Sequence, residues 1–183
     1  MEADRSAQAP ADPSLLPEPV PAVVDVHALY TAHWRYLVRL AVLLVDDVAS
    51  AEDVVQDAFV ALHRKADGLR DPDAALAYLR TSVLNLSRSV LRRRQTVRKH
   101  LRVAEPEATA GADSEVLLMD EHREALAAVR RLPRHQREVL TLRYWSGLSE
   151  REIARTLGIS QGSVKSAASR GLAALQRMLA GEA

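Results

Sequence analysis

A chain of 183 residues with 48% hydrophobic side chains can bury one or two modest cores, and with two Trp, four Tyr and one Phe those cores must be aliphatic, which suits helix packing. The absence of cysteine excludes disulfides, thiolate catalysis and Cys-ligated zinc. The longest apolar run, Leu40 to Val45, is far short of the ~20 residues a membrane span needs, and the net charge of +1 conceals a strong sorting of charge along the chain.

Residues 1 to 24 are rich in Pro, Ala, Asp and Ser with little to bury, a composition that predicts a disordered tail. Its start lacks the basic-then-apolar order of a signal peptide, so a cytoplasmic protein is expected. From Asp25, an available N-cap, the residues Val26, Leu29, Tyr30, Leu37, Leu40 and Leu44 recur near helical spacing and predict a long first helix. A second helix is expected to start at Ser50, which with Asp53 has capping-box spacing, and to end at Gly68. Val54, Ala58, Ala61 and Leu62 would be its buried side. A third helix opens near Pro72 and has Leu76, Leu79, Val83, Leu86 and Val90 as its inner stripe. The three make a first domain over 25–102.

Residues 103–115 carry Pro106, Gly111 and an acidic bias without periodicity, which predicts a flexible linker. A second domain over 116–183 then starts with a helix from Val116 to Leu132 and another from Pro133 to Tyr144, stopped by Gly147. Its last part, "LSEREIARTLGISQGSVKS", reads as two helices about a tight turn. Ser149 and Glu152 form a capping box, Ile153, Ala154 and Leu157 face inward, Gly158 takes the left-handed turn, Ile159 plugs the gap and Ser160 caps the last helix. Val164, Ala168, Leu172, Leu175 and Leu179 would continue the inner side, leaving Gln161, Ser163, Lys165, Ser166, Ser169 and Arg170 outside. Short polar groups beside a Lys and an Arg suit base edges and phosphates. A helical hairpin that merely packs would explain the spacing of Ala154 and Gly158 alone, but not two caps and a basic outer face together. The fold class is therefore all-α, two small helical domains joined by a linker.

Charge supports two contacts with a polyanion: seven Arg or Lys and no acid between Arg88 and Arg102, and ten basic against three acidic residues between Arg130 and Arg177. On the second helix Asp53, Gln56, Asp57 and Val60 fall on one stripe. A solvated face and a docking face for a basic partner explain it equally. His27 and His33 lack metal-ligand spacing, and no catalytic constellation or cofactor motif stands out, so neither an enzyme nor a metal or cofactor protein is expected.

"AEDVVQDAF", a Tyr-Leu helix ending in an arginine run, and then "LPRHQREVLTLRYWSGLSEREIARTLGISQGSVKS" together resemble the bacterial RNA polymerase sigma factors of the extracytoplasmic-function group of the sigma-70 family, over nearly all of residues 25 to 180. The resemblance implies a region 2-like helical bundle that binds core polymerase and the −10 element, and a region 4-like helix-turn-helix domain that reads the −35 element. It implies that Asp53, Gln56, Asp57 and Val60 meet the clamp helices of the largest polymerase subunit. The loop around Asp67 to Asp73 and the helix from Tyr78 to Arg94 would hold the melted −10 strand, with Tyr78, Arg80, Asn85, Arg88, Arg92 and Arg93 as contacts. Gln161, Ser163, Lys165, Ser166, Ser169 and Arg170 would face the −35 duplex. Further partners implied are the flap of the second-largest subunit and an anti-sigma factor. Tyr78 stands where many members have Trp, and the last helix reads "KSAASR", without the basic or aromatic residues often found there. Rival readings from other classes are a stand-alone helix-turn-helix activator with a helical sensing or dimerisation domain, and an interaction protein that sequesters polymerase.

Overall fold

The computed structural model of the chain describes residues 24–45, 47–65, 71–101 and 123–181. Nearly all of the expected tail, the turn at Gly68, the linker 103–115 and the first residues of the helix expected from Val116 lie outside the described residues. The front unit begins with α1, Val26–Val42. Asp25 starts it, its carboxylate accepting from the backbone N–H groups of His27 and Ala28 at 2.9 and 3.0 Å. Leu29, Leu37, Leu40 and Ala41 are buried, and the turn that follows keeps Leu44 and Val45 inside.

The second helix, α2, is Val48–His63. It starts earlier than Ser50 because Asp47 takes the capping role, accepting from the Ser50 N–H at 2.8 Å. Asp47 and Ser50 have the same three-residue separation as Ser50 and Asp53, and a carboxylate at the earlier position satisfies the first turn's free donors. Its buried side is Val54, Val55, Ala58, Phe59 and Leu62, with Ala61 only half-buried, because Val55 and Phe59 take the place expected for it. α3, Pro72–Leu101, starts at Pro72, whose missing N–H costs nothing in a first turn. Ala75, Leu79, Val83 and Leu84 form its buried line, while Leu76, Leu86 and Val90 are half-buried. The three helices pack on one another.

The back unit has α4, Arg123–Arg131, and α5, Arg134–Leu140, which runs on as a π-helical turn over Thr141–Trp145. Gly147, at φ +65, ends that run as expected. α6, Glu150–Leu157, has the capping box between Ser149 and Glu152, and Gly158 at φ +68 closes it. Ser160 caps α7, Gln161–Leu179. The expected inner stripe of α7 holds at Val164 and Ala168, then departs: Leu172 and Leu179 are 37% and 49% exposed, and Leu175 is half-buried. Steps of four drift around a helix of 3.6 residues per turn, so Ala167 and Gly171 enter the interior instead. At Gly171, α7 crosses α5 so closely that a Cβ would stand 2.8 Å from Leu140 Cδ1 and 3.2 Å from Gln136 Cβ.

Gly171→Ala should therefore lower stability by about 1–3 kcal/mol through overpacking, read as a lower urea midpoint with unchanged slope. An unchanged midpoint would mean that Leu140 yields without cost.

Candidate nucleic-acid interface

The capping box and the Gly158 turn hold α6 and α7 in fixed relation, because each chain end is tied by a local hydrogen bond or a backbone angle rather than by distant packing. Ile153, Leu157 and Val164 fill the angle between them, with Ile159 packed against the same core. The outer side of α7 is then open, and all six residues expected there, Gln161, Ser163, Lys165, Ser166, Ser169 and Arg170, are exposed. Ser163 is tied locally to the Ser160 cap, and Arg170 Nε donates to the Ser166 carbonyl at 3.3 Å. Lys165 Nζ lies 3.7 Å from a Glu150 oxygen, and Arg143 meets the other oxygen of that carboxylate at 3.2 Å.

On α2 the stripe of Asp53, Gln56, Asp57 and Val60 is exposed throughout, opposite the buried line of Val54, Ala58 and Leu62. Among the described residues neither aspartate forms an ion pair. Tyr30 and Trp34 of α1 cluster with Phe59 of α2, ring centres 4.8 to 6.4 Å apart, and add aromatic pairing to the α1–α2 contact.

The six residues expected along α3 do not share one environment. Asn85, Arg92 and Arg93 are exposed. Tyr78, Arg80 and Arg88 instead lie where α3 meets the back unit. Tyr78 and Arg80 line a cleft of ≈ 440 Å³ with Leu148, Glu152, Arg155 and Thr156. Arg80 Nε donates to the Tyr36 hydroxyl at 3.0 Å, and that hydroxyl donates to Ser146 Oγ at 2.7 Å. Arg88 forms a two-pronged pair with Glu138, Nε to Oε1 at 2.7 Å and Nη2 to Oε2 at 2.8 Å. The hydrogen bond to Glu138 holds the Arg88 guanidinium above its ordinary pKa, against the opposing effect of burial.

Sequence reasoning missed three residues that set this basic helix: Tyr36, Asp47 and Glu138. Glu138 was visible as one of only three acids in the basic stretch from Arg130 to Arg177, but nothing local names its partner fifty residues away. Asp47 secures the far end of α3 through Arg94, 2.5 Å from its second oxygen. Among the described residues no cluster of His, Asp or Glu could hold a metal, and no helix is long and apolar enough to cross a membrane.

Residues 29–97 match the family described as Sigma-70 region 2, and residues 122–175 that described as Sigma-70, region 4. The ECF RNA polymerase sigma factor SigM of Mycobacterium tuberculosis is 33% identical over 152 residues, covering 82% of this chain and 75% of that protein. The chain belongs to the extracytoplasmic-function group of the sigma-70 family. A probable RNA polymerase sigma factor, RfaY of Xanthomonas campestris pv. campestris, is 29% identical over 157 residues, which is 82% of this chain but 39% of that longer protein. The sigma factor RpoE of Bartonella quintana, solved in complex with the anti-sigma factor NepR, superposes with TM-score 0.67 at 26% identity over 84% of this chain and 95% of its own. This sigma factor is a promoter-specificity subunit of RNA polymerase, a factor of transcription initiation whose partners are core polymerase and promoter DNA. No observation favours the stand-alone activator.

Burial disfavours ionisation of Asp47, but hydrogen bonds from the Ser50 N–H and from Arg94 outweigh it and hold the carboxyl below its ordinary value of 3.8. A carboxyl depressed by folding contributes stability above its unfolded value and loses it as pH falls through the native one. Asp47→Ala should cost about 1 kcal/mol at neutral pH, and the gap to the parent chain should close only below pH 3.8. A gap independent of pH in acid unfolding curves would remove the charged cap.

Proposed function

We propose that this sigma factor works in the cytoplasm and leaves all bond-making chemistry to core polymerase. Its front unit, 25–102, docks through Asp53, Gln56, Asp57 and Val60 onto the basic clamp helices of the largest subunit. The observation that carries the reading is the open acidic stripe on α2: two like charges four residues apart repel, and a cationic partner surface relieves that repulsion. The basic side of α3, from Tyr78 to Arg93, then grips the melted −10 strand. Extruding a base there costs a few kcal/mol, offset by arginines on phosphates. The back unit, 116–183, reads the −35 duplex with Gln161, Ser163, Lys165, Ser166, Ser169 and Arg170, and meets the flap of the second-largest subunit. In that complex Lys165 exchanges Glu150 for DNA. An anti-sigma factor of the kind bound to the Bartonella protein is a fitting regulator.

Replacing Asp53 and Asp57 together by Ala should weaken core binding roughly tenfold or more with the helical spectrum unchanged. Undiminished affinity in a core-binding titration would remove the clamp assignment. Lys165→Ala with Arg170→Ala should reduce −35-dependent run-off transcription by the loss of contacts worth ~1–3 kcal/mol for a base-reading pair and less for phosphate. Wild-type yield from a promoter with an intact −35 element would show that α7 is not the reader.

A further inference from the structure

Arg88 is the residue on α3 whose position and proposed work conflict. As a strand contact it must offer its guanidinium fork to a phosphate, yet both prongs are taken by Glu138 of α5, at 2.7 and 2.8 Å. A carboxylate and a phosphate present the same pair of acceptor oxygens to an arginine, so one excludes the other. Glu138 is 2% exposed, and Arg134 and His135 stand 3.8 Å from its oxygens, so the carboxylate is fixed rather than one of several rotating surface acids.

The obstruction extends along the helix. Tyr78 and Arg80 face Leu148, Glu152 and Arg155 across the cleft, and the Tyr36 hydroxyl links Arg80 to Ser146. Arg137 reaches the Leu44 carbonyl at 3.3 Å, giving the seam another polar tie. In the same arrangement the acidic stripe on α2 and the outer side of α7 remain exposed. The surfaces proposed for docking and for duplex reading are thus open, while half of the proposed strand contacts are half-buried against the back unit.

We propose that Glu138 is an internal stand-in for a DNA phosphate on Arg88, a clasp that keeps the isolated chain shut against single-stranded promoter DNA until α5 leaves α3. The proposal rests on the reading of Arg88 as a strand contact. The clasp itself is polar, so a phosphate can take the place of the Glu138 carboxylate on Arg88 with the same geometry.

The chain has no cysteine, so Ala32→Cys and Ala173→Cys, both exposed, give unique dye positions on the two units of the full-length protein. Energy transfer between them reports closure, and anisotropy of a fluorescein-labelled oligothymidylate reports the sequence-independent grip on phosphates. Glu138→Gln keeps the shape and removes the charge. It should lower energy transfer and tighten oligothymidylate binding by about tenfold, the worth of one charge-assisted hydrogen bond. The exchange Arg88→Glu with Glu138→Arg should restore transfer and bind oligothymidylate more weakly than the parent. Should Glu138→Gln fail to give the parent's helical spectrum, Glu138→Asp retains the charge on a side chain one methylene shorter, which reaches Arg88 less well, and should lower transfer in part.

Unchanged transfer and unchanged affinity in a folded Glu138 variant would overturn the clasp. If Arg88→Ala in the holoenzyme still impaired open-complex formation, the strand assignment of Arg88 would stand without it. Lowered transfer with no gain in oligothymidylate affinity would overturn the proposal from the other side, locating the fault in the assignment of Arg88 to DNA rather than in the closure.

Discussion

A carboxylate withdrawn from water is tolerated only where charge and hydrogen bonds meet it from several sides. Glu138, its side chain 3% exposed, imposes that requirement at the junction of the two units. Arg88 answers it with a fork whose geometry admits one register: a shift of α3 by a single residue against α5 would break both bonds at once. Buried pairs of this kind add little net stability over a well-packed apolar pair, so what this one confers is alignment. The placement of Tyr78 and Arg80 against α6 follows, as does the Tyr36 link to Ser146. The seam is polar at these points, within one aliphatic cluster that takes in Leu40, Leu62 and Leu79 in front and Leu142 and Ile153 behind.

What could be read from the residues alone was whatever is enforced within a few positions. The box at Ser149 and Glu152, the left-handed turn at Gly158 and the caps at Asp25 and Ser160 are local bonds, and all stand where spacing put them. The start of α2 was misplaced because two acid–hydroxyl spacings overlap there, and only the fold, through Arg94 on Ser50 and Asp47, selects between them. The far part of α7 was misjudged for a related reason. Leucines mark a stripe only while it stays in phase, and the residue that decides the crossing, Gly171, carries no hydrophobic signal at all. The candidate contacts divide in the same manner. The exposed rows on α2 and α7 follow from periodicity, but the engagement of Arg88 by Glu138 joins residues fifty positions apart and has no sequence signature.

Net charge is +1, and the sorting of that charge matters more than its sum. The front unit carries an acidic row on α2 and a basic run at the end of α3 within one packed trio of helices, so it can meet a protein cation and a nucleic-acid anion with different faces. The aromatic cluster of Tyr30, Trp34 and Phe59 lies where α1 and α2 meet, and adds ring pairing to an otherwise aliphatic contact.

An order of events follows from which faces are open. The acidic row and the outer side of α7 need no rearrangement to meet a partner, since their residues are exposed already. The basic side of α3 differs, since Arg88, Arg80 and Tyr78 are half-buried where it meets the back unit. On the clasp reading, separating the units breaks the Arg88–Glu138 pair, and a second anion on Arg88 would offset that loss. On that reading, a need for a partner before DNA is gripped is a property of the seam's chemistry as much as of the proposed docking surface.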